Sequence, residues 1–193
     1  NEVGDIHMIK ITSRDPAPPP IDYIKTSGGI FLDMTIHDFD MIKYLSNSEI
    51  SEIYVKGGCF IDPQIKKAGD VDTAIISMKL KNGVLATINN SRKAVYGYDQ
   101  RIEVLGSKGI LKVPNRLLSG LETGSSNGFI KSNPKSFFID RYQESYKKEI
   151  LNFVNSINGE VVNYASADDG LHALKAGLAA KNSLQNNCVE TVN

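Results

Sequence analysis

Cysteine is nearly absent from this sequence. Cys59 and Cys188 are the only two in 193 residues, far apart and without CxxC spacing. That excludes a disulfide framework and reads as a reduced, cytoplasmic chain. Neither sign of charge is in surplus, with Lys plus Arg and Asp plus Glu at 22 each. This balance argues against a nucleic-acid partner and gives no electrostatic pull toward a membrane. No apolar run approaches the roughly 20 residues of a membrane span. The opening Asn1-Glu2-Val3-Gly4-Asp5 is neither a signal peptide nor a Met start, so the expectation is a piece of something longer. No GxGxxG follows a strand, and no Walker loop or GxSxG elbow occurs, so the chain is expected to bind no nucleotide by itself.

What is present is ordinary for a soluble globular protein: 41% hydrophobic and 23% charged, long enough for one large core or two small ones. Ile6 to Thr12 reads as a strand, followed by a stiff loop from Ser13 to Pro20 that holds four of the seven prolines. Further strands are expected over Glu52–Ile61, Ala74–Lys81, Val84–Asn90, Gln100–Leu105 and Ile110–Val113, with Asn82-Gly83 supplying the positive φ angles of a tight turn. Short turns between successive strands predict an antiparallel meander. The loop from Leu118 to Asn133 reads as irregular with at most a short strand. Helices are expected over Phe138–Ile157, with an apolar stripe through Tyr142, Tyr146, Ile150, Phe153, Val154 and Ile157, and over Ala167–Leu184, capped by Ser166. Ala74–Leu80, Val84–Ile88 and Ile102–Leu105 are apolar on both faces, which predicts a second copy of the chain over the open side of the sheet.

The stretch from Ser27 to Leu45 carries the chemistry. A glycine pair, Gly28-Gly29, opens it and an amphipathic helical pattern follows. On one continuous helix Asp33 and His37 would lie one turn apart on a common face, with Asp40 along the same stripe. A carboxylate one turn before an imidazole can orient the ring and raise its basicity, as in a general acid/base. The same spacing suits a plain hydrogen-bonded pair in a buried helix equally well. It also allows a weaker third reading, in which Asp33, His37 and Asp40 are metal ligands, although no cysteine or second histidine lies nearby to complete a shell. Arg14 and Asp15 sit at the end of the first strand, where functional groups are often placed.

Taken together, several segments resemble one family. Gly28 to Asp40, Ser13 to Pro20, Gly69-Asp70-Val71-Asp72-Thr73-Ala74, Asn90-Ser91-Arg92 and Tyr96-Gly97-Tyr98-Asp99-Gln100-Arg101 are similar to the second domain of the Gfo/Idh/MocA oxidoreductases, specifically the inositol 2-dehydrogenases. The resemblance covers nearly the whole chain and is most specific through Gly109. It implies an α+β fold: a large, mostly antiparallel open sheet with helices packed on one face, like the C-terminal domain of glyceraldehyde-3-phosphate dehydrogenase. It also implies that residues 1–193 form the substrate-binding and oligomerisation domain of a two-domain enzyme. NAD and a catalytic Lys in a Glu-Lys-Pro motif would belong to a Rossmann domain that this chain lacks.

Carried over residue by residue, Asp33 and His37 are the catalytic pair. His37 would take the hydroxyl proton, with Asp33 orienting it and the absent Lys completing the triad. Asp40 and Tyr98, and with them Tyr96 and Asp15, match substrate-contacting positions. Some relatives place a histidine where Ser13 stands, which bears on the preferred polyol. The expected activity is NAD-dependent oxidation of myo-inositol or a related cyclitol in inositol catabolism, by a dimer or tetramer joined through the sheet face. No cofactor or metal site is expected in this chain, and the chain alone is expected to be inactive. A non-enzymatic assembly module and a metal-dependent sugar isomerase are the alternatives.

Overall fold

The computed structural model describes residues 2–160, 162 and 164–193. In chain order the elements are β1 (Ile6–Arg14), α1 (Ile21–Thr26), α2 (Ile30–Asp33), α3 (Ile36–Ser46), β2 (Ile50–Gly58), α4 (Pro63–Lys67), β3 (Thr73–Leu80), β4 (Leu85–Ser91), β5 (Asp99–Gly106), β6 (Gly109–Val113), β7 (Glu122–Ser125), β8 (Gly128–Lys131), α5 (Phe138–Ile157), α6 (Ala167–Asn186) and β9 (Glu190–Thr191). Seven strands form one sheet in the order β6-β5-β1-β4-β3-β2-β9. Every pairing is antiparallel except β1 with β4. The fold is therefore the expected α+β class, a mostly antiparallel sheet with helices on one face.

The simple meander is corrected: β1 enters between β4 and β5 and splits it, with Met8 to Arg14 in parallel register beside Leu85 to Ser91. That insertion matters for function, because it sets the C-terminal ends of β1 and β4 side by side. The β3–β4 turn falls where Asn82-Gly83 places it, but among the described non-glycine residues only Asn47 and Asn187 have positive φ. Gly83 alone turns the hairpin, at φ +88, and donates its N–H to Leu80 O. Residues 122–131 form a two-stranded hairpin instead of an irregular loop.

One sheet face is packed and the other is open. In β3, Ala74, Ile76, Met78 and Leu80 are buried while Ile75, Ser77 and Lys79 are exposed, a clean alternation. The two-sided apolar character expected of this strand reduces to Ile75 alone. A different outer-face row does form across strands: Leu85, Met8, Leu105 and Ile110 are successive register partners on β4, β1, β5 and β6, and all are exposed. On the packed side, α3 and α6 cover Ile9, Ile53, Val55, Ile76 and Ile88, with Phe39 and Ile42 of α3 fully buried among them. Burying each such side chain contributes roughly 1.5–3 kcal/mol.

Helix α6 faces the core through His172, Ala173, Ala176, Gly177, Ala180 and Ser183, leaving Leu171, Leu174 and Leu178 half-exposed. Small residues are required there because α2 lies against it: a Cβ at Gly177 would come within 2.5 Å of the Leu32 side chain. Ser166 caps α6 in a reciprocal pair with Asp169, as its sequence position implies.

Candidate active site

The Ser27–Leu45 stretch is not one helix. Gly28 and Gly29 take positive φ, α2 runs for only four residues, and the chain widens before α3 begins. Thr35 N–H reaches back five residues to Ile30 O, at 2.9 Å, so an extra residue is inserted into the turn. That insertion breaks the single continuous helix expected over this stretch into α2 and α3. Asp33 makes no hydrogen bond to His37. Its carboxylate instead accepts from Tyr23 Oη at 2.7 Å and from Arg92 Nη1 at 3.0 Å. His37 is exposed, and among the described residues it makes no hydrogen bond.

Both residues nonetheless line the same cleft, about 1940 Å³ in volume. It opens between the proline loop, the α2–α3 corner and the ends of β1 and β5, with α5 along its far side. Of the residues expected from sequence, Asp15, Asp33, His37, Asp40 and Tyr98 all line it. Tyr96 does not: its hydroxyl donates to Asp99 at 2.6 Å and accepts from Arg14 at 3.0 Å, outside the cleft. Asp33 is engaged by Arg92 and Tyr23, and no three His, Cys, Asp or Glu side chains among the described residues converge as metal ligands.

A buried polar network supports the floor. Asn90, on β4, donates from Nδ2 to Asp38 Oδ2 at 2.9 Å and to Ser13 O at 3.3 Å, and accepts from Thr35 Oγ1 at 2.6 Å. One side chain thus ties the end of β1 to both sides of the α2–α3 corner. Gln100 Nε2 extends the network to Ser13 Oγ at 2.7 Å. Such groups must be satisfied internally, because each lost partner would leave a buried polar atom unpaired.

The electrostatics follow from burial. Desolvation pushes Asp38 up to about 7, opposed by its hydrogen bonds from Asn90 and Ser13 and reinforced by Asp15. Asp15 is likewise raised by burial to about 6, with Arg92 pulling it down and Asp33 pushing it up. The Tyr98 phenol is driven well above its ordinary value by burial, then by Tyr142 and Asp15. Its ring packs edge-on against Phe137 and Tyr142, with centroids 6.4 Å apart in each case. The cleft therefore offers several carboxyl groups, two of them raised by burial, with an accessible imidazole and an aromatic wall.

Sequence reasoning missed Arg92, Asp38 and Asn90 as site residues. Arg92 and Asn90 were visible only as part of a family-like segment, and nothing local marks Arg92, which is 1% exposed, as a buried cation.

The fold and the cleft belong to a recognisable class. The GFO/IDH/MocA C-terminal domain matches residues 1–112, and the chain belongs to that family. Over 183 residues it is 48% identical to the myo-inositol 2-dehydrogenase of Thermotoga maritima, covering 95% of this chain and 55% of that protein. The solved myo-inositol dehydrogenase of Corynebacterium glutamicum superposes with a TM-score of 0.93 at 37% identity, over 100% of this chain and 58% of that one. The scyllo-inositol dehydrogenase of Lactobacillus casei, solved with NAD(H) and scyllo-inositol, gives 0.87 at 33% identity, over 98% of this chain and 57% of that one. The chain thus spans little more than half the length of these relatives.

Proposed function

We propose that this chain is the substrate-binding and oligomerisation domain of a two-domain, NAD-dependent inositol 2-dehydrogenase that oxidises myo-inositol or a related cyclitol to the 2-keto product. The observation that carries the reading is that Asp15, Asp33, His37, Asp40 and Tyr98, drawn from four separate segments, line one cleft. A cyclitol is neutral and presents a ring of hydroxyl groups. Carboxylates at Asp15 and Asp40 accept hydrogen bonds from such groups, and the Tyr98 hydroxyl both donates and accepts. His37, exposed to the cleft and with no side-chain hydrogen bond among the described residues, takes the proton from the reacting hydroxyl. Asp33 contributes a fixed negative charge on the same wall, which favours the imidazolium that forms.

A nicotinamide cofactor would supply the hydride acceptor. The relative solved with NAD(H) and scyllo-inositol supports this, and the resemblance implies that the cofactor would be held mainly by a Rossmann domain outside this chain. The outer-face row Leu85, Met8, Leu105 and Ile110 supports association of copies through the open side of the sheet. The test is NADH formation from NAD and myo-inositol. The intact protein turns over and this chain alone does not; turnover by the chain alone would contradict the division of labour.

A further inference from the structure

Arg92 is the most buried cation of the molecule, with its side chain 1% exposed, yet its guanidinium is only partly paired. Nη1 donates to Asp33 at 3.0 Å, Nη2 stands 3.8 Å from Asp70 Oδ2, and neither Nε nor Nη2 makes a hydrogen bond. Two of the carboxylates it faces stand at opposite ends of one short helix. Asp70, from the loop before β3, takes the first N–H of α2 between its two oxygens, Ile30 N at 3.1 and 3.0 Å. Asp33 is the last residue of the same helix. The approach of Asp70 depends on Gly29, where a Cβ would lie 2.9 Å from Asp70 Oδ1 and φ is +84. Arg92 is itself fixed by the main chain, since its N–H donates to Asp72 O at 2.8 Å.

We propose that Arg92 is a positioning residue for the reaction: it clamps α2 at both ends and thereby sets the direction and charge environment of the Asp33 carboxylate in the cleft. A four-residue helix has too few internal hydrogen bonds to fix its own orientation. A planar guanidinium can face both carboxylates at once, whereas an ammonium is a point charge that serves one well. Arg92 underlies the cleft with its side chain 1% exposed, and it and Asp70 act through Asp33. This inference rests on the role assigned to Asp33 above.

The experiment uses the intact two-domain enzyme and compares Arg92→Lys, Asp33→Asn and the double variant, with kcat, KM for myo-inositol and melting temperature for each. Lysine keeps the buried charge while breaking the clamp. The expected result is a folded Arg92→Lys enzyme with kcat lower by roughly 10- to 100-fold, the scale of misplacing a positioned group by about 1 Å. KM changes little, and in the Asp33→Asn background the Arg92→Lys change removes almost nothing further. A wild-type kcat in Arg92→Lys, or a loss that multiplies in full with that of Asp33→Asn, overturns the proposal. An Asp33→Asn enzyme with wild-type kcat overturns the role of Asp33 and the proposal with it. If Arg92→Lys does not fold, Asp70→Asn decides through the same readouts, because it keeps the acceptor for Ile30 N–H but releases the clamp.

Discussion

Between Ser107 and Leu171, Arg141 is the one buried side chain among the described residues, whereas Val3 to Gly106 and His172 to Val192 hold the rest of the interior. The packed region, Val3 to Gly106 with His172 to Val192, has six of the sheet's seven strands, its covering helices and the networked floor of the cleft. The second region is the edge strand β6, the β7–β8 hairpin and α5, whose Ile150, Phe153 and Ile157 are 66%, 67% and 70% exposed. They meet at the cleft, where α5 and the residues before it contribute Phe137, Arg141 and Tyr142. Arg141 bridges them by donating to Gln100 O at 3.0 Å. The lesson is that the candidate catalytic groups sit on the packed region, while the second region supplies only the cleft's outer wall. Among the described residues, nothing buries the apolar face of α5.

Mutations at equivalent aromatic positions should separate the two regions. Phe39→Ala, in the packed region, is expected to destabilise the protein by about 3–5 kcal/mol by leaving a cavity under α3. Chemical denaturation measures it, and a loss below about 1 kcal/mol would mean the core is not where the burial places it. Asn90→Ala comes next, since it strands Asp38, Thr35 and the Ser13 carbonyl together. The expected cost is about 2–3 kcal/mol by the same measurement, from unpaired buried polar groups.

A smaller effect comes from pH. Asp38 and Asp15 are raised in the folded state, so they bind protons more tightly there than in the unfolded chain. Their contribution is present at pH values below ordinary carboxylate titration and is lost as pH rises through about 6 to 7. His172 works in the opposite window. Its Nε2 accepts from Ile50 N–H at 3.1 Å and burial lowers its basicity, so the folded state loses stability as pH falls below the ordinary histidine range. Asp38→Asn is expected to flatten the alkaline side of the stability–pH curve and to leave the acid side unchanged. Melting temperatures across pH 5 to 8, a span of roughly the two windows, check this. Smallest of all, Phe153→Ala on α5 should change stability by within about 0.5 kcal/mol in the isolated chain. A loss comparable to that of Phe39→Ala would erase the contrast between the regions.

The sheet strands were legible in sequence because alternation and turn residues mark them locally. The short elements were not: α1, α4 and β9 are too brief to carry a period. The position of β1 depends on pairing across some 77 residues, which no local pattern records. At the site, Asp33 and His37 stood out through spacing, but the inserted residue at Thr35 that divides the stretch into α2 and α3 has no signature in a run so consistently helical. Arg92 was hidden for a related reason: its partner Asp33 lies 59 residues away, and burial of a charge is visible only once the partners are together.

The central proposal is that His37, in the cleft of the packed region, takes the proton of a cyclitol hydroxyl. The direct measurement is steady-state NADH formation by the intact enzyme with myo-inositol, wild type against His37→Ala, with folding checked by melting temperature. A folded variant whose kcat falls by roughly 10²- to 10⁴-fold is the predicted result. A folded His37→Ala enzyme that turns over at the wild-type rate would contradict it.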